Sequence, residues 1–364
     1  MKIALIEPYF GGSHKEWAEG FKQHLEFETE IFSLRDNYWK WRMHGGAISL
    51  AKKFNESDFE ADLILATDML DLGTFLALTR QKSNGIPTAI YFHENQLAYP
   101  WQEDDRDIQN GRNLHYAFIN YSSALAADRV FFNSAYNQMS FLEGLEKMLR
   151  FYPDNRNLDS IDSIRENSQV LHLGIDLERF DRFEKKGQNE TPVLLWNHRW
   201  EHDKNPEEFF ETLIELKEEG FQFKLIVLGE SYGRQPEIFE VARSGLQQEI
   251  IHFGYVESFE EYARLLKSAN ILPVTSMQDF FGISVVEAAY CDVTPLLPRR
   301  LAFPELFKDE NLFYKEGDFK KALKNSLRQF PNQRSMQKQV KNYSWKSMKS
   351  EYSECIVDLI NSLG

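Results

Sequence analysis

Short apolar runs separated by amphipathic stretches recur along most of this chain, and that alternation restricts the fold more than any other feature. KIALIEP, TEIFSL, DLILAT, TAIYFH, RVFFNS and QVLHLG punctuate the first half. Helix-like segments lie between them, such as the one where Trp17, Phe21 and Leu25 recur at i, i+4 and i+8. A polar stretch from Asp154 to Ser168 interrupts the rhythm, and Lys185 to Thr191 reads as a linker. The pattern restarts with PVLLWNH, FKLIVLGE, IIHFGYV, ANILPVTS and TPLLP. Such alternation predicts α/β architecture, with parallel sheets covered on both faces. At 364 residues the chain suits two domains. The expected divisions are residues 1–185, residues 186–343, and a closing helix over residues 344–364. That helix has an apolar face of Tyr352, Ile356, Leu359 and Leu363, expected to pack back on the first domain.

Composition removes several classes of function. The two cysteines, Cys291 and Cys355, are too far apart for zinc-site spacing and too few for a disulfide framework, which suits a reducing compartment such as the cytoplasm. MKIALIEPYF lacks the parts of a signal peptide, and no apolar run approaches the roughly 20 residues of a membrane span, so a soluble protein is expected. A net charge of −14 argues against general nucleic-acid affinity. The charge is uneven, however: nine Lys or Arg and no Asp or Glu fall between Phe319 and Ser350. That strip reads either as a solvated helical face or as a docking strip for a polyanion.

Ligands of open α/β sheets sit beyond the carboxyl ends of the strands, and the polar clusters of this sequence fall there. Gly11-Gly12-Ser13-His14 follows the first strand and opens a helix whose N–H groups suit an anion. It is neither GxGxxG nor a Walker A loop, which weakens nicotinamide and ATP readings. His93-Glu94-Asn95-Gln96 follows the fourth strand. There a neutral His93 would bond a sugar hydroxyl or stabilise positive charge growing on a sugar ring. In the second half Arg199 and Lys204 stand five apart after a strand, before Pro206 opens a helix; a forked and a point cation suit a diphosphate. His198 and His202 have metal-ligand spacing but lack a third ligand, and no metal is expected. Asp279 and Glu287 flank Phe281-Gly282-Ile283, where a helix begins; Glu287 is placed for a vicinal diol such as ribose.

From Arg199 and Lys204 through the Asp279-to-Glu287 element to TPLLP, these residues resemble the family 4 retaining glycosyltransferases of GT-B fold, in which two Rossmann-like doubly wound domains face across a cleft. EPYFGGSH, YWKWRMHGGA, YFHENQLAYP, Asn133-Ser134 in DRVFFNSAYNQMSFL and PDNR at Pro153 to Arg156 together resemble the tRNA-queuosine mannosyltransferases. Two positions depart from the family pattern: Asp279 where Glu is usual, and Asp292 where Gly is usual, a residue that tolerates a left-handed backbone.

The resemblance implies a metal-independent transfer of a hexose, mannose from GDP-mannose, onto the queuosine of tRNA, with the nucleotide sugar as co-substrate and no cofactor. Arg199 and Lys204 would hold the donor diphosphate and Glu287 the ribose, while Asp279, Phe281, Gly282 and Ile283 meet sugar and phosphate. Gly11, Gly12 and His93 would frame the reacting centre, with His93, Glu94 and Asp279 as the catalytic candidates. His14, Trp41, Arg42, His44, Asn95 and Gln96 are the acceptor-side candidates, although the WKWR segment also reads as a domain-surface anchor. A glycan, lipid or small-molecule acceptor, a sugar-nucleotide epimerase, and an RNA-binding relative without catalysis are the alternatives.

Overall fold

The computed structural model describes residues 1–101, 107, 113–184, 187, 189–230, 236–331 and 335–363. The chain divides into two compact units, one formed by Met1–Ile175 with Trp345–Gly364 and the other by Asp176–Ser344. The division falls at Ile175 rather than near residue 185 because the 3-10 turn Glu178–Arg182 is built into the second unit: Arg179 bonds Glu287, and Phe180 packs on Phe259. Of the linker expected between Lys185 and Thr191, residues 185, 186 and 188 lie outside the described residues.

The first unit alternates β1 (Lys2–Phe10), α1 (Gly12–His24), β2 (Glu28–Arg35), α2 (Trp39–Glu56), β3 (Leu63–Thr67), α3 (Leu72–Ser83) and β4 (Thr88–Phe92). It continues with α4 (Asn113–Ala126), β5 (Arg129–Phe132), α5 (Ala135–Phe151), α6 (Asp159–Glu166) and β6 (Ser168–Val170). The strands form one parallel sheet in the order β2-β1-β3-β4-β5-β6. β3 and β4 are buried at every position, as unbroken apolar runs covered on both faces should be. The polar stretch before β6 contains α6, whose Ile161 and Ile164 join the core. An amphipathic stripe of two apolar residues in eight is too thin to stand out in the sequence.

The chain's last helix, α14 (Trp345–Leu363), completes this unit. Trp345 is buried where Gly20 leaves room for its indole; any Cβ at Gly20 would overlap that ring. Tyr352 accepts a hydrogen bond from Trp17 Nε1 at 2.9 Å and donates to the His172 carbonyl at 2.9 Å. Ile356 and Leu359 are buried beside it.

The second unit runs β7 (Val193–Asn197), α7 (Pro206–Glu218), β8 (Lys224–Leu228), α8 (Ile238–Gly245), β9 (Ile250–Phe253), α9 (Phe259–Ser268) and β10 (Ile271–Pro273). It ends with α10 (Ile283–Tyr290), β11 (Thr294–Pro298), α11 (Phe303–Leu306), β12 (Phe313–Tyr314), α12 (Phe319–Arg328) and α13 (Gln337–Val340). Its parallel sheet has the order β12-β11-β10-β7-β8-β9, the doubly wound order of a dinucleotide-binding sheet. Asp292 adopts φ 59, and its Oδ1 accepts from Met336 N (2.9 Å) and Gln337 N (3.2 Å), the start of α13. The carboxylate thus caps a helix that a glycine in its place would leave uncapped.

Each sheet reverses its winding at one place, between β1 and β3 in the first and between β7 and β10 in the second. A crevice opens at the carboxyl ends of strands where neighbouring connections diverge. No helix among the described residues is long and apolar enough to cross a membrane. The basic strip is partly neutralised within the second unit: Lys320 pairs with Glu215 and Glu219, and Lys324 with Glu219. Arg334 of the strip lies outside the described residues.

Candidate active site

In the first unit, the reversal point gathers Glu7 from β1, His14 from α1, and Asp68 and His93 from the ends of β3 and β4. Glu7 is an acid inside an apolar strand and is fully buried. Its Oε1 accepts from the Tyr9 N–H at 2.8 Å, and its Oε2 lies 3.0 Å from His14 Nδ1. Burial alone would strip the proton from His14, but Glu7, aided by Asp68 and Glu94, raises its pKa to about 9. His14 is therefore an imidazolium at neutral pH. Burial pushes the Asp68 carboxyl in the opposite sense to a surface acid, upward, against the pull of His14. Gly11 caps α1 without a side-chain bond, and Gly12 takes φ 49 at its first position.

His93 lies over His14 with ring centroids 4.2 Å apart, and Trp17 approaches it edge-on at 4.8 Å. Burial, and then the charge on His14, hold its pKa well below the ordinary value, so it is neutral. Both of its ring nitrogens are buried without a hydrogen-bond partner. The backbone is fixed: His93 N–H donates to Asp68 Oδ1 at 2.8 Å, and its carbonyl accepts from Asn133 Nδ2 at 2.7 Å. Donor atoms of Glu7, His14 and His93 all lie within 4.8 Å of one another, the size of a metal set. A metal needs lone pairs converging on one point. Here Glu7 Oε2 and His14 Nδ1 are bonded to each other, which uses the lone pair each would offer.

The structure separates the four residues after β4. Asn95 is fully buried and supports the turn: Nδ2 donates to Asn137 Oδ1 (2.7 Å), and Oδ1 accepts from Ala98 N (2.9 Å). With both ends of its amide used inside the fold, it is a turn residue rather than an acceptor contact. Gln96 is buried and donates to Glu94 Oε1 at 3.0 Å, which leaves the half-buried Glu94 beside His93.

The WKWR segment opens α2. Arg42 does not reach out: its guanidinium bonds the Arg35 carbonyl at 2.9 Å and Asn37 Oδ1, latching the turn between β2 and α2. Trp41 is 63% exposed, with its inner edge resting on Gly45, where a Cβ would come within 2.6 Å of the ring. His44 stacks on His115 at 4.4 Å, their nearest ring nitrogens 3.2 Å apart. Burial and His115 together lower its pKa.

In the second unit, Lys204 ends the 3-10 turn His202–Lys204 and is buried. Its Nζ donates to the Gln278 carbonyl at 2.7 Å and to Asp279 Oδ1 at 3.0 Å, with Asp203 Oδ2 at 3.1 Å. Burial disfavours the ammonium, yet Asp279 and Asp203 more than offset this and raise its pKa. Asp279 responds in kind: burial opposes its charge, but Lys204 and His198 hold its pKa below the usual value. Burial lowers His198 to about 4, so that ring is neutral; its Nδ1 lies 3.4 Å from Ser284 Oγ. Arg199 behaves differently from Lys204. Its side chain is 47% exposed, 3.3 Å from Glu201. One cation is thus embedded between two acids, and the other stands at the surface.

Gly282 caps α10 at φ 87, a backbone other residues rarely adopt, with Phe281 buried before it against Tyr343 and Ile283 half-buried after it. Glu287, inside α10, accepts from Arg179 Nη2 and from Tyr262 OH, each at 2.7 Å. Asn197 Nδ2, at the end of β7, donates to Tyr262 OH (3.0 Å) and to the Ser284 carbonyl (3.1 Å). Arg179, Asp203 and Tyr262 were not among the expected site residues, nor were Asp68 and Glu7, although Glu7 begins the EPYFGGSH string. The usable signal for the last two was an acid within or directly after an apolar strand, where burial demands a partner.

Comparison with known proteins agrees with this division of the chain. Residues 2–175 match the model of the tRNA-queuosine alpha-mannosyltransferase N-terminal domain, and residues 178–347 match that of glycosyl transferases group 1. A tRNA-queuosine alpha-mannosyltransferase of Drosophila melanogaster is 35% identical over 335 residues, covering 90% of this chain and 87% of that protein. Among solved structures, sucrose-phosphate synthase of Thermosynechococcus elongatus superposes with a TM-score of 0.70 at 15% identity, covering 100% of both chains. The Anabaena HepE protein in complex with UDP has a TM-score of 0.66 at 14% identity, covering 98% of this chain and 100% of that one. These likenesses carry the fold, which is GT-B. By its sequence, the chain belongs to the tRNA-queuosine alpha-mannosyltransferase family.

Proposed function

We propose that this protein is a retaining hexosyltransferase that moves mannose from GDP-mannose onto the queuosine of tRNA in the cytoplasm. The observation that carries the sugar and the acceptor is 35% identity, across 90% of the chain, to a protein named a tRNA-queuosine alpha-mannosyltransferase. The second unit supplies chemistry suited to the donor. When a glycosyl–phosphate bond breaks, negative charge grows on the leaving diphosphate and positive charge on the sugar ring. Fixed cations and helix N–H groups stabilise such a leaving group without having to reorganise. Lys204, held by Asp203 and Asp279, is such a fixed cation, Arg199 is an exposed one, and the N–H groups at Gly282 and Ile283 open α10. With this countercharge the transfer runs without a divalent metal.

Glu287, oriented by Arg179 and Tyr262, bonds the donor ribose. The neutral His93, with both ring nitrogens unengaged, accepts from a sugar hydroxyl. Retention follows from attack by the acceptor hydroxyl on the face the phosphate leaves, the departing phosphate taking its proton. Trp41 offers one face to a base of the tRNA. The test offers radiolabelled nucleotide sugars with tRNA containing queuosine and with tRNA lacking it. Label from GDP-mannose only on the former is the expected result. Equal labelling of both tRNAs, or of neither, refutes the acceptor, and a preference for another nucleotide sugar refutes the donor.

A further inference from the structure

The adjoining histidines of the first unit, His14 and His93, carry a charge arrangement that donor and acceptor binding alone do not require. Glu7 faces away from any solvent and bonds a ring that could have been neutral, as His93 is. We propose that Glu7 is a positioning residue of the transferase, holding His14 as a buried imidazolium against the face of His93. The inference rests on the preceding reading, in which His93 meets the sugar.

The geometry accounts for each part. Glu7 Oε2 accepts a hydrogen bond from His14 Nδ1–H at 3.0 Å and so fixes the ring plane, while Oε1 is anchored by Tyr9 N–H. The ring then lies 4.2 Å from that of His93. Two imidazoles this close do not both hold an extra proton, so the ring that touches Glu7 carries the charge and the other is left as an acceptor. Among the described residues, the charged and titratable groups facing His14 are Glu7 and Tyr9 from β1, Asp68 after β3, and His93 and Glu94 after β4. Among them, Glu7 makes the direct bond. A fixed cation beside the sugar-facing histidine keeps that histidine from taking a proton and places positive charge near the start of α1.

The test is the pH dependence of kcat/KM for Glu7→Gln. The amide still hydrogen-bonds but removes the countercharge, so His14 should return to about its ordinary pKa of 6.5, with Asp68 and Glu94 still offsetting burial. At pH 8 only about 3% of such a ring is cationic, which predicts a loss of kcat/KM of tenfold or more, against roughly twofold or less at pH 6. A uniform loss at both pH values, or none, would overturn the proposal, since a merely structural Glu7 has no reason to shift the profile. Nitrogen-15 NMR of histidine-labelled wild-type protein gives a second readout that uses neither donor nor acceptor. A His14 midpoint near 9 supports the proposal even if Glu7→Gln does not fold, and a midpoint below 7 refutes it. Because that measurement involves no sugar transfer, it separates a failure of this charge arrangement from a failure of the proposed function.

Discussion

Glu287 and Arg179 are 108 residues apart in sequence and joined by a 2.7 Å ion pair, with the glutamate side chain 7% exposed. The pair ties the 3-10 turn at the head of the second unit to α10 and fixes the orientation of the carboxylate proposed to bind ribose. Arg179→Ala should raise KM for the nucleotide sugar more than it lowers kcat, and cost about 1.5–3 kcal/mol of stability, since it deletes a charged hydrogen bond. Arg179→Lys keeps the charge without the fork and should fall between. Steady-state kinetics with varied donor, together with urea melts, measure both.

Lys204 is the cation that Asp203 and Asp279 enclose. Lys204→Met leaves two buried carboxylates without a counterion, and a loss of about 3–5 kcal/mol is expected. Adding Asp279→Asn to that variant should restore part of the stability, because one orphaned charge disappears, yet restore none of the activity. Thermal melts and donor-dependent transfer would separate the two effects. Recovery of transfer by the double variant would show that Lys204 serves the fold alone.

His14 makes stability depend on pH. Its folded pKa of about 9 lies above the ordinary 6.5, so its stabilisation is complete below 6.5 and is lost as pH rises through about 9. Urea melts at pH 6, 8 and 10 should show stability falling across that range. His14→Asn should be less stable at pH 6 and vary less with pH.

Asp292 combines a strained backbone with a useful side chain. Asp292→Asn keeps an oxygen for the N–H groups of Met336 and Gln337 and should change stability little; Asp292→Ala keeps the strain and loses the cap. A loss of about 1–2 kcal/mol is expected for the alanine variant.

Trp41 separates acceptor recognition from folding. Its side chain is largely exposed, so Trp41→Ala should leave the melting temperature nearly unchanged. If the indole stacks a base, KM for tRNA should rise by roughly five- to a hundredfold, as loss of a stacking platform costs about 1–3 kcal/mol.

Both sheets were legible in the sequence because buried parallel strands are unbroken apolar runs, and TAIYFH and PVLLWNH cannot easily be anything else. β12 was not: two residues, Phe313 and Tyr314, make a strand only because β11 is there to pair with them. The site was legible in the same uneven way. His93, Lys204, Asp279 and Glu287 stand at strand ends or helix starts, where sequence position implies a crevice. Asn95 sits in the same string as His93, and nothing local reveals that Asn137, 42 residues on, absorbs its amide. Arg42 is similar, since an arginine beside an exposed tryptophan looks like a ligand contact until Asn37 and the Arg35 carbonyl are found to occupy it. Glu7 was hidden for a different reason: its partner is seven residues away on another element, and the bond depends on how β1 hands over to α1.

Trp17 and Tyr352 are hydrogen-bonded although 335 positions apart in sequence. During synthesis the first unit therefore leaves the ribosome incomplete, with Trp17 and the hollow at Gly20 uncovered while the whole second unit is made. The helix Trp345–Leu363 closes that seam, so a ribosome that stalls or terminates before Trp345 releases a chain with an apolar wound. Quality control by chaperones and proteases would read the docking of this helix as the sign that the first unit has closed.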